Sequence, residues 1–510
     1  MSEYIALGDW RLFFYGRDKT KDVTAQQADS AADKYFVRDN RVVGLFIPDD
    51  NPQRAEITKA PSAEELLANY KPQGAAQKIE AFDSSFDNLD KRTQRIDIGD
   101  LNIALLPKQT RGETVTVCMK FKSGDEKNLF GKSSLQPVAA AMLTRGTKTM
   151  TRSEIEDRMT ELKMAGSITN FTTTRKNLPA ALELVFDVMH NSIMPQDEFD
   201  QFKKQMQVMI ESMRDKPDAL AQNAITQHFN TYPKGDPRHE YSLDESLEQL
   251  NRLTVDQVRA FYKEFGGTSR GEISIVGDFD PKAVEKIIRD DYAKYVSKAH
   301  YAPIVTEYRP VQATRVVIDT PDKENATIVA RSVFPINDTS PDAPALTVAN
   351  WILGGGTGLS NRLIERLRQK EGLSYGAGSH VRIPAKGDNG SFVFRAIVAP
   401  QNMLQAEASA RDVIAKAIKD GFTDQEVEEA KKGLLQAMQV ARSQDDVVAR
   451  SWNDKMENQR TWVFSKKQAE AISKLTTADV NAALRKYIKP DEITFVLAGD
   501  QKKAAQKKQD

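Results

Sequence analysis

The chain has 510 residues, 40% hydrophobic and 28% charged, with 72 Lys+Arg against 72 Asp+Glu. That length exceeds what one hydrophobic core supports and predicts about three or four domains. Zero net charge argues against a protein that depends on a basic nucleic-acid face and against an anionic membrane surface as partner.

Cys118 is the one cysteine, so no disulfide framework or thiolate zinc cluster can form within one chain. It falls in the alternating run "TVTVCMKFKSG" and reads as a small buried hydrophobe in a strand. No apolar run is long enough to span a membrane. The first residues, "MSEYIALGDWRLFFYGRDKTKD", lack the basic start of a signal peptide and carry Asp9, Arg11 and Asp18. As written, the chain reads as cytoplasmic.

In chain order, one pattern recurs three times, at 23–48, 253–280 and 475–500. Each copy opens on a threonine (Thr24, Thr254, Thr476) placed to cap a short amphipathic helix. Each helix runs to an aromatic residue (Tyr35, Phe265, Tyr487), then turns into an apolar strand: "RVVGLFI", "EISIVG", "EITFVLAG". A second element recurs twice. Residues 194–217 put Phe199, Phe202, Met206, Met209 and Met213 on one helical stripe that Pro217 stops. Residues 422–442 open on a capping box, Thr423 with Glu426, before Val427, Leu434, Leu435 and Met438. Both stripes read as core.

Two full modules result, at 96–300 and 301–510. Each is an α+β layer, an antiparallel sheet packed with helices. Residues 1–50 repeat only a module's ending, as the tail of a preceding module. Residues 51–95 are a polar linker with a helix in "APSAEELLANYKPQG".

"GGGTGLSNRLIERLRQKEGLSYG" (354–376) is the densest motif. It is not a phosphate loop, since no Lys follows the glycines, and Leu359 breaks the dinucleotide pattern. "SPDAPALTVANWILGG" before it reads as a helix, so the glycines serve a turn or a close approach. Arg362 and Arg366 read as a solvated helix face. Arg368, seven residues before Tyr375, sits where helix passes to strand, and the two are strong donors able to hold a peptide carbonyl or its oxyanion. The histidines, His190, His228, His239, His300 and His380, are never three to five residues apart, which excludes a helical zinc pair. "RHEYSL" begins like H-E-x-x-H, but Leu243 ends the match. Each histidine reads as a surface or satisfied residue.

Over essentially its whole length the sequence resembles the pitrilysin-type (M16) zinc metallopeptidases. Their metal helix carries H-x-x-E-H, as in "HFLEHMLFKGT", and this chain reads "PVAAAMLTRGT" in the same frame. Pro137 stands at the first histidine, Ala140 at the glutamate and Ala141 at the second histidine. The degenerate site implies no metal in this chain, because alanine neither binds zinc nor activates water. Glu211 falls near the family's third ligand. The second module resembles the family's C-terminal domain, whose "SRL...LREKEGLAYS" matches Arg368 and Tyr375 at the same step. There the pair reaches across a closed chamber to bind substrate and polarise its scissile carbonyl.

Gly354, Gly355 and Gly356 are similar to substrate-contacting segments of non-catalytic subunits. The resemblance implies the M16 peptidase, LuxS-like metallohydrolase fold and a non-catalytic half whose partner supplies the zinc. Peptides are the implied substrates, with no nucleic acid and no membrane partner. It also makes residues 1–50 the end of a zinc-bearing half in long bacterial members, which are often exported, so a periplasmic site stands beside the cytoplasmic one. The alternatives are a stand-alone, non-proteolytic peptide-binding or assembly protein and an active peptidase with an unusual site.

Overall fold

The computed structural model describes residues 2–42, 44, 62–71, 80–292, 294–356 and 361–505. The chain divides into two compact units, Met1–Lys78 and Ile79–Asp510. In the first, the helices are Ser2–Ala6, Leu12–Lys21, Ala25–Tyr35 and Ala63–Leu67. Thr24 caps its helix in a full capping box with Gln27, and Tyr70 donates to Asp18 Oδ2 at 2.7 Å. The strand expected from "RVVGLFI" falls largely outside the described residues.

The second unit holds two sheets. The first contains β1 (Gln94–Ile98), β2 (Asp100–Pro107), β3 (Thr114–Phe121), β4 (Ala165–Gly166), β5 (Asn170–Thr174) and β6 (Arg270–Gly277), in the order β1-β2-β6-β3-β5-β4. The second contains β7 (Arg315–Asp319), β8 (Ala326–Pro335), β9 (Ser374–Arg382), β10 (Asn389–Val398) and β11 (Thr494–Gly499), in the order β7-β11-β8-β10-β9. The strand that ends each recurring pattern enters its sheet parallel to the module's early strand, β6 beside β2 and β11 beside β7. The remaining pairings are antiparallel. The helices before β6 and β11 start at Thr254 and Thr476 in full capping boxes and end at Phe265 and Tyr487, where the repeat places them.

Both faces of the sheets are apolar, so both must be covered. On β2, Ile103 and Leu105 face the first module's own helices, while Ala104 and Leu106 face the other way. That other face is closed by Asp445–Glu457, a helix of the second module, through Val448, Ala449 and Trp452. The second sheet repeats the arrangement in reverse. Val329, Val496 and Ala498 pack on Ala221 and Ile225 of Pro217–His228, a helix of the first module. The modules therefore exchange a helix. Polar bonds fix one seam: Asn453 donates from Nδ2 to Cys118 O at 3.0 Å and accepts from Ser274 Oγ at 2.5 Å.

Along Gln196–Met213, the inward stripe is Phe199, Phe202, Met206 and Ile210. Met209, expected in it, is exposed, because the stripe drifts by one position over three turns. Pro217 does not end this helix. Gln196–Met213 stops before it, and Pro217 occupies the first position of the next, where a missing N–H costs nothing.

Candidate functional site

The segment 343–382 presents the Arg/Tyr pair by two departures from regular backbone. Ala343–Asn350 runs into a π turn, Trp351–Gly355, and Arg362–Ile364 into a second, Glu365–Lys370. π turns widen a helix by one residue and rotate the side chains beyond them. At Gly354 a Cβ would lie 2.5 Å from Ser379 Oγ and 2.7 Å from Leu363 Cδ1, and at Gly355 it would lie 2.3 Å from Asn350 Nδ2. At Gly356 it would meet Trp351 O at 2.9 Å. Close packing of the first π turn against β9 and its own helix thus demands these glycines. The loop's continuation at 357–358 lies outside the described residues.

The second π turn carries Arg368. It is exposed, with no hydrogen bond or ion pair to any described residue. Arg362 and Arg366, expected on the same solvated face, are instead held. The Arg362 guanidinium donates to both carboxylate oxygens of Glu426 (2.7 and 2.8 Å) and to Gly421 O (3.0 Å), and lies 4.7 Å from the Phe422 ring. Burial would raise the Glu426 carboxyl, but the Arg362 fork and the Thr423 N–H hold it below its ordinary value. Arg366 bonds Glu371, which also accepts from Ser409 Oγ at 2.6 Å. Arg362 is a clamp between elements because Phe422 and Glu426 arrive from far along the chain, which spacing does not reveal.

Tyr375 sits at the start of β9, the outer strand of its sheet. Ser374 pairs with Val398 and Gly376 with Ile397, so Tyr375 stands opposite no residue. This bulge re-aims its side chain out of the sheet, leaving it 67% exposed. Ser374 Oγ fixes the bulge, 2.9 Å from Ile397 O and accepting the Gly376 N–H at 3.1 Å. Tyr375 Oη has no hydrogen-bond partner among the described residues.

The metal-type helix is Leu135–Met142. Pro137 lies in its first turn, where an N–H has no intrahelical acceptor, so the proline is tolerated. Val138, Ala139 and Met142 are buried, while Pro137, Ala140 and Ala141 are exposed. The Gly-Thr that follows is structural. Gly146 has φ 146°, and Thr147 is buried and accepts from Met150 N at 3.0 Å through Oγ1. Glu211 is exposed and 3.6 Å from Arg214. Proline and alanine offer no donor atom, so the residues present do not fit a zinc ion. Among the described residues no group of three or more His, Cys, Asp or Glu could hold a metal.

The reading of every histidine as satisfied fails at one of them. His239 is buried with Nε2 unpartnered, in the "RHEYSL" that resembles no complete motif. The other four are a half-buried His190 beside Asp291, His228 bonded to Gln312 O, His300 bonded to Asp125 and an exposed His380. No helix among the described residues is long and apolar enough to cross a membrane.

Comparison with known proteins places this geometry. The family described as the peptidase M16 inactive domain matches residues 252–434. An uncharacterized zinc protease of Mycobacterium tuberculosis is 25% identical over 261 residues, 51% of this chain and 57% of that protein. A non-peptidase homolog of Helicobacter pylori is 23% identical over 185 residues, 36% of this chain and 41% of its own length. The match thus spans between 41% and 57% of the length of these curated relatives. The crystal structure of a peptidase M16 inactive domain from Pseudomonas fluorescens superposes with a TM-score of 0.68 at 20% identity, covering 80% of this chain and 97% of that one. Residues 252–434 thus match the family described as the peptidase M16 inactive domain, and the doubled sheet-and-helix modules share the fold of a solved protein of that description.

Proposed function

We propose that this chain is a non-catalytic half or subunit of an M16-type zinc metalloendopeptidase. It pairs with a zinc-bearing half, encloses peptides with it, and donates Arg368 and Tyr375 to the substrate carbonyl. The observation that carries this reading is the state of those two side chains. Both are exposed and without a hydrogen-bond or ion-pair partner among the described residues, while neighbouring Arg362 and Arg366 are tied down. A guanidinium and a phenol held free in this way can bind a carbonyl oxygen and stabilise charge developing on it. Zinc and its activated water belong to the partner, since Pro137, Ala140 and Ala141 supply neither ligand nor base.

The test is peptide hydrolysis by this chain mixed with an M16 chain that carries an intact H-x-x-E-H. Arg368→Ala and Tyr375→Phe are expected to leave the zinc content of the mixture unchanged and lower turnover by roughly 10- to 100-fold. Wild-type turnover in both variants removes the pair from the site. Chelator-sensitive hydrolysis by this chain alone would overturn the division of labour. A second reading, a non-proteolytic peptide-binding or assembly protein, draws support from the relative described as a non-peptidase homolog. Failure to capture any zinc-bearing M16 chain by affinity pull-down would favour it.

A further inference from the structure

The two modules repeat one seam but charge it differently. Counted back from the closing glycines of β6 and β11, Gly277 and Gly499, Glu272 and Thr494 hold the same place. Lys120 of β3 stands opposite Glu272, and Arg331 of β8 stands opposite Thr494. In the first module the cation is neutralised. Lys120 bonds Glu457, the last residue of the covering helix, and Glu272 bonds Lys122. In the second module a threonine replaces the strand carboxylate. Beyond the covering helix Pro217–His228 comes Phe229, whose ring centroid lies 4.9 Å from the Arg331 guanidinium. Arg331 makes no hydrogen bond or ion pair with any described residue, and its Nε is buried without a partner. We propose that the face carrying Arg331, His380 and Arg382 is a binding site for a peptide carboxylate, from an acidic side chain or a C-terminus. The choice of a peptide as ligand rests on the enclosing role proposed above.

Register places the three residues together. Arg331 pairs with Val393 of β10, Val393 pairs with His380 of β9, and Arg382 pairs with Ser391. All three therefore share one face of the sheet. Strand spacing and rise put the Arg331 and Arg382 Cα atoms about 12 Å apart, a gap that two arginine side chains can close around one carboxylate. The helix Pro217–His228 covers Val329, Val496 and Ala498 on this face. His380 and Arg382, on the outer strand, remain exposed.

The charges on the face select an anion. Burial and the like charge of Arg382 hold Arg331 below its ordinary value, so a negative group between them relieves a cost already present. Glu240 favours the Arg331 charge, but it is exposed and ion-pairs with neither arginine. Arg395, on the same face, is already paired with Asp218. Guanidinium groups keep their charge at physiological pH and only donate, so the preference depends on no tautomer. A carboxylate gains charge-assisted hydrogen bonds from both, and an ammonium group meets repulsion.

Calorimetric titration of the full chain alone, without zinc or a partner, keeps this test apart from the pairing test, and either can fail with the other standing. Three acetylated peptides of Ala, Gln and Thr, equal in length, are used. The first carries one central Glu and a C-terminal amide. The second has Gln in place of that Glu and the same amide, and the third has that Gln and a free C-terminal carboxylate. At least one carboxylate peptide is expected to bind saturably and ~10-fold or more tightly than the neutral one, and which one does so identifies the source. Arg382→Gln, at an exposed position, should bring that peptide within about 3-fold of the neutral one with the circular dichroism unchanged, and Arg331→Met should do the same. The Arg382 variant decides the matter if Arg331→Met fails to fold. Equal binding of all three peptides, no saturable binding, or a carboxylate preference that survives Arg382→Gln each overturns the site. Displacement of the peptide by an equal concentration of inorganic phosphate overturns its assignment to peptides.

Discussion

Lys455 shows what burial does to a charge that no described carboxylate pairs with, Asp454 and Asp90 offsetting only part of the cost. Its ammonium lies 4.0 Å from the Trp462 ring centroid, and burial pushes its pKa down to about 8 from 10.5. Below pH 8 both the folded and unfolded forms carry the proton, so the desolvation cost is fully present. Between about 8 and 10.5 the folded chain gives up its proton first, and the cost is relieved as pH rises. Lys455→Met is therefore expected to raise stability at pH 7 by up to about 3 kcal/mol and to lose that advantage by pH 10, measured by urea unfolding at both pH values. Glu245 behaves oppositely. The Lys234 ammonium and the Ser242 N–H hold its carboxyl down to about 2. Its contribution is present above about pH 4.5 and fades as pH falls toward 2. Glu245→Gln should flatten the acid limb of the stability profile without shifting the neutral plateau's pH range. At this scale the sequence exposes residue types but not partners. The fixed step and the resemblance single out Arg368 and Tyr375, and the structure adds only that both are exposed. Arg362 was misplaced because Glu426 lies 64 residues away, and His239 because no second ligand stands nearby in sequence.

At the scale of elements, local rules were most readable. Thr24, Thr254 and Thr476 each begin a helix with a reciprocal capping box, and Thr423 with Glu426 does the same. Thr254→Ala should cost about 1 kcal/mol, read as a lower denaturation midpoint at unchanged slope, because Gln257 N loses its acceptor. The two π turns were not legible. A π turn leaves the residue types of a helix untouched and shows itself only when neighbouring elements demand the extra residue. The glycines at 354–356 announced an irregularity without saying which. The β9 bulge at Tyr375 was equally silent, since it exists only by reference to β10. The strongest packing element is Trp452, fully buried and edge-on to Trp462 with ring centroids 6.2 Å apart. Trp452→Ala should destabilise by roughly 3–5 kcal/mol, and calorimetry would show whether the loss spreads to the first module's sheet, which this ring covers.

At the scale of the whole chain, the doubled α+β plan was legible because one pattern recurs. The parallel insertion of β6 and β11 and the exchanged helices were not, since a period reports which face is apolar and never what lies against it. That exchange has a mechanical consequence. The covalent link between the modules, the segment 300–314, is not what holds them together, because each sheet is sealed by a helix that only the other module owns. A site-specific nick at exposed Pro310 should leave two fragments that travel as one particle in sedimentation and part only when denatured. A gene broken at that point would still yield a working body from two separately made polypeptides, each useless as a soluble entity until it meets its complement.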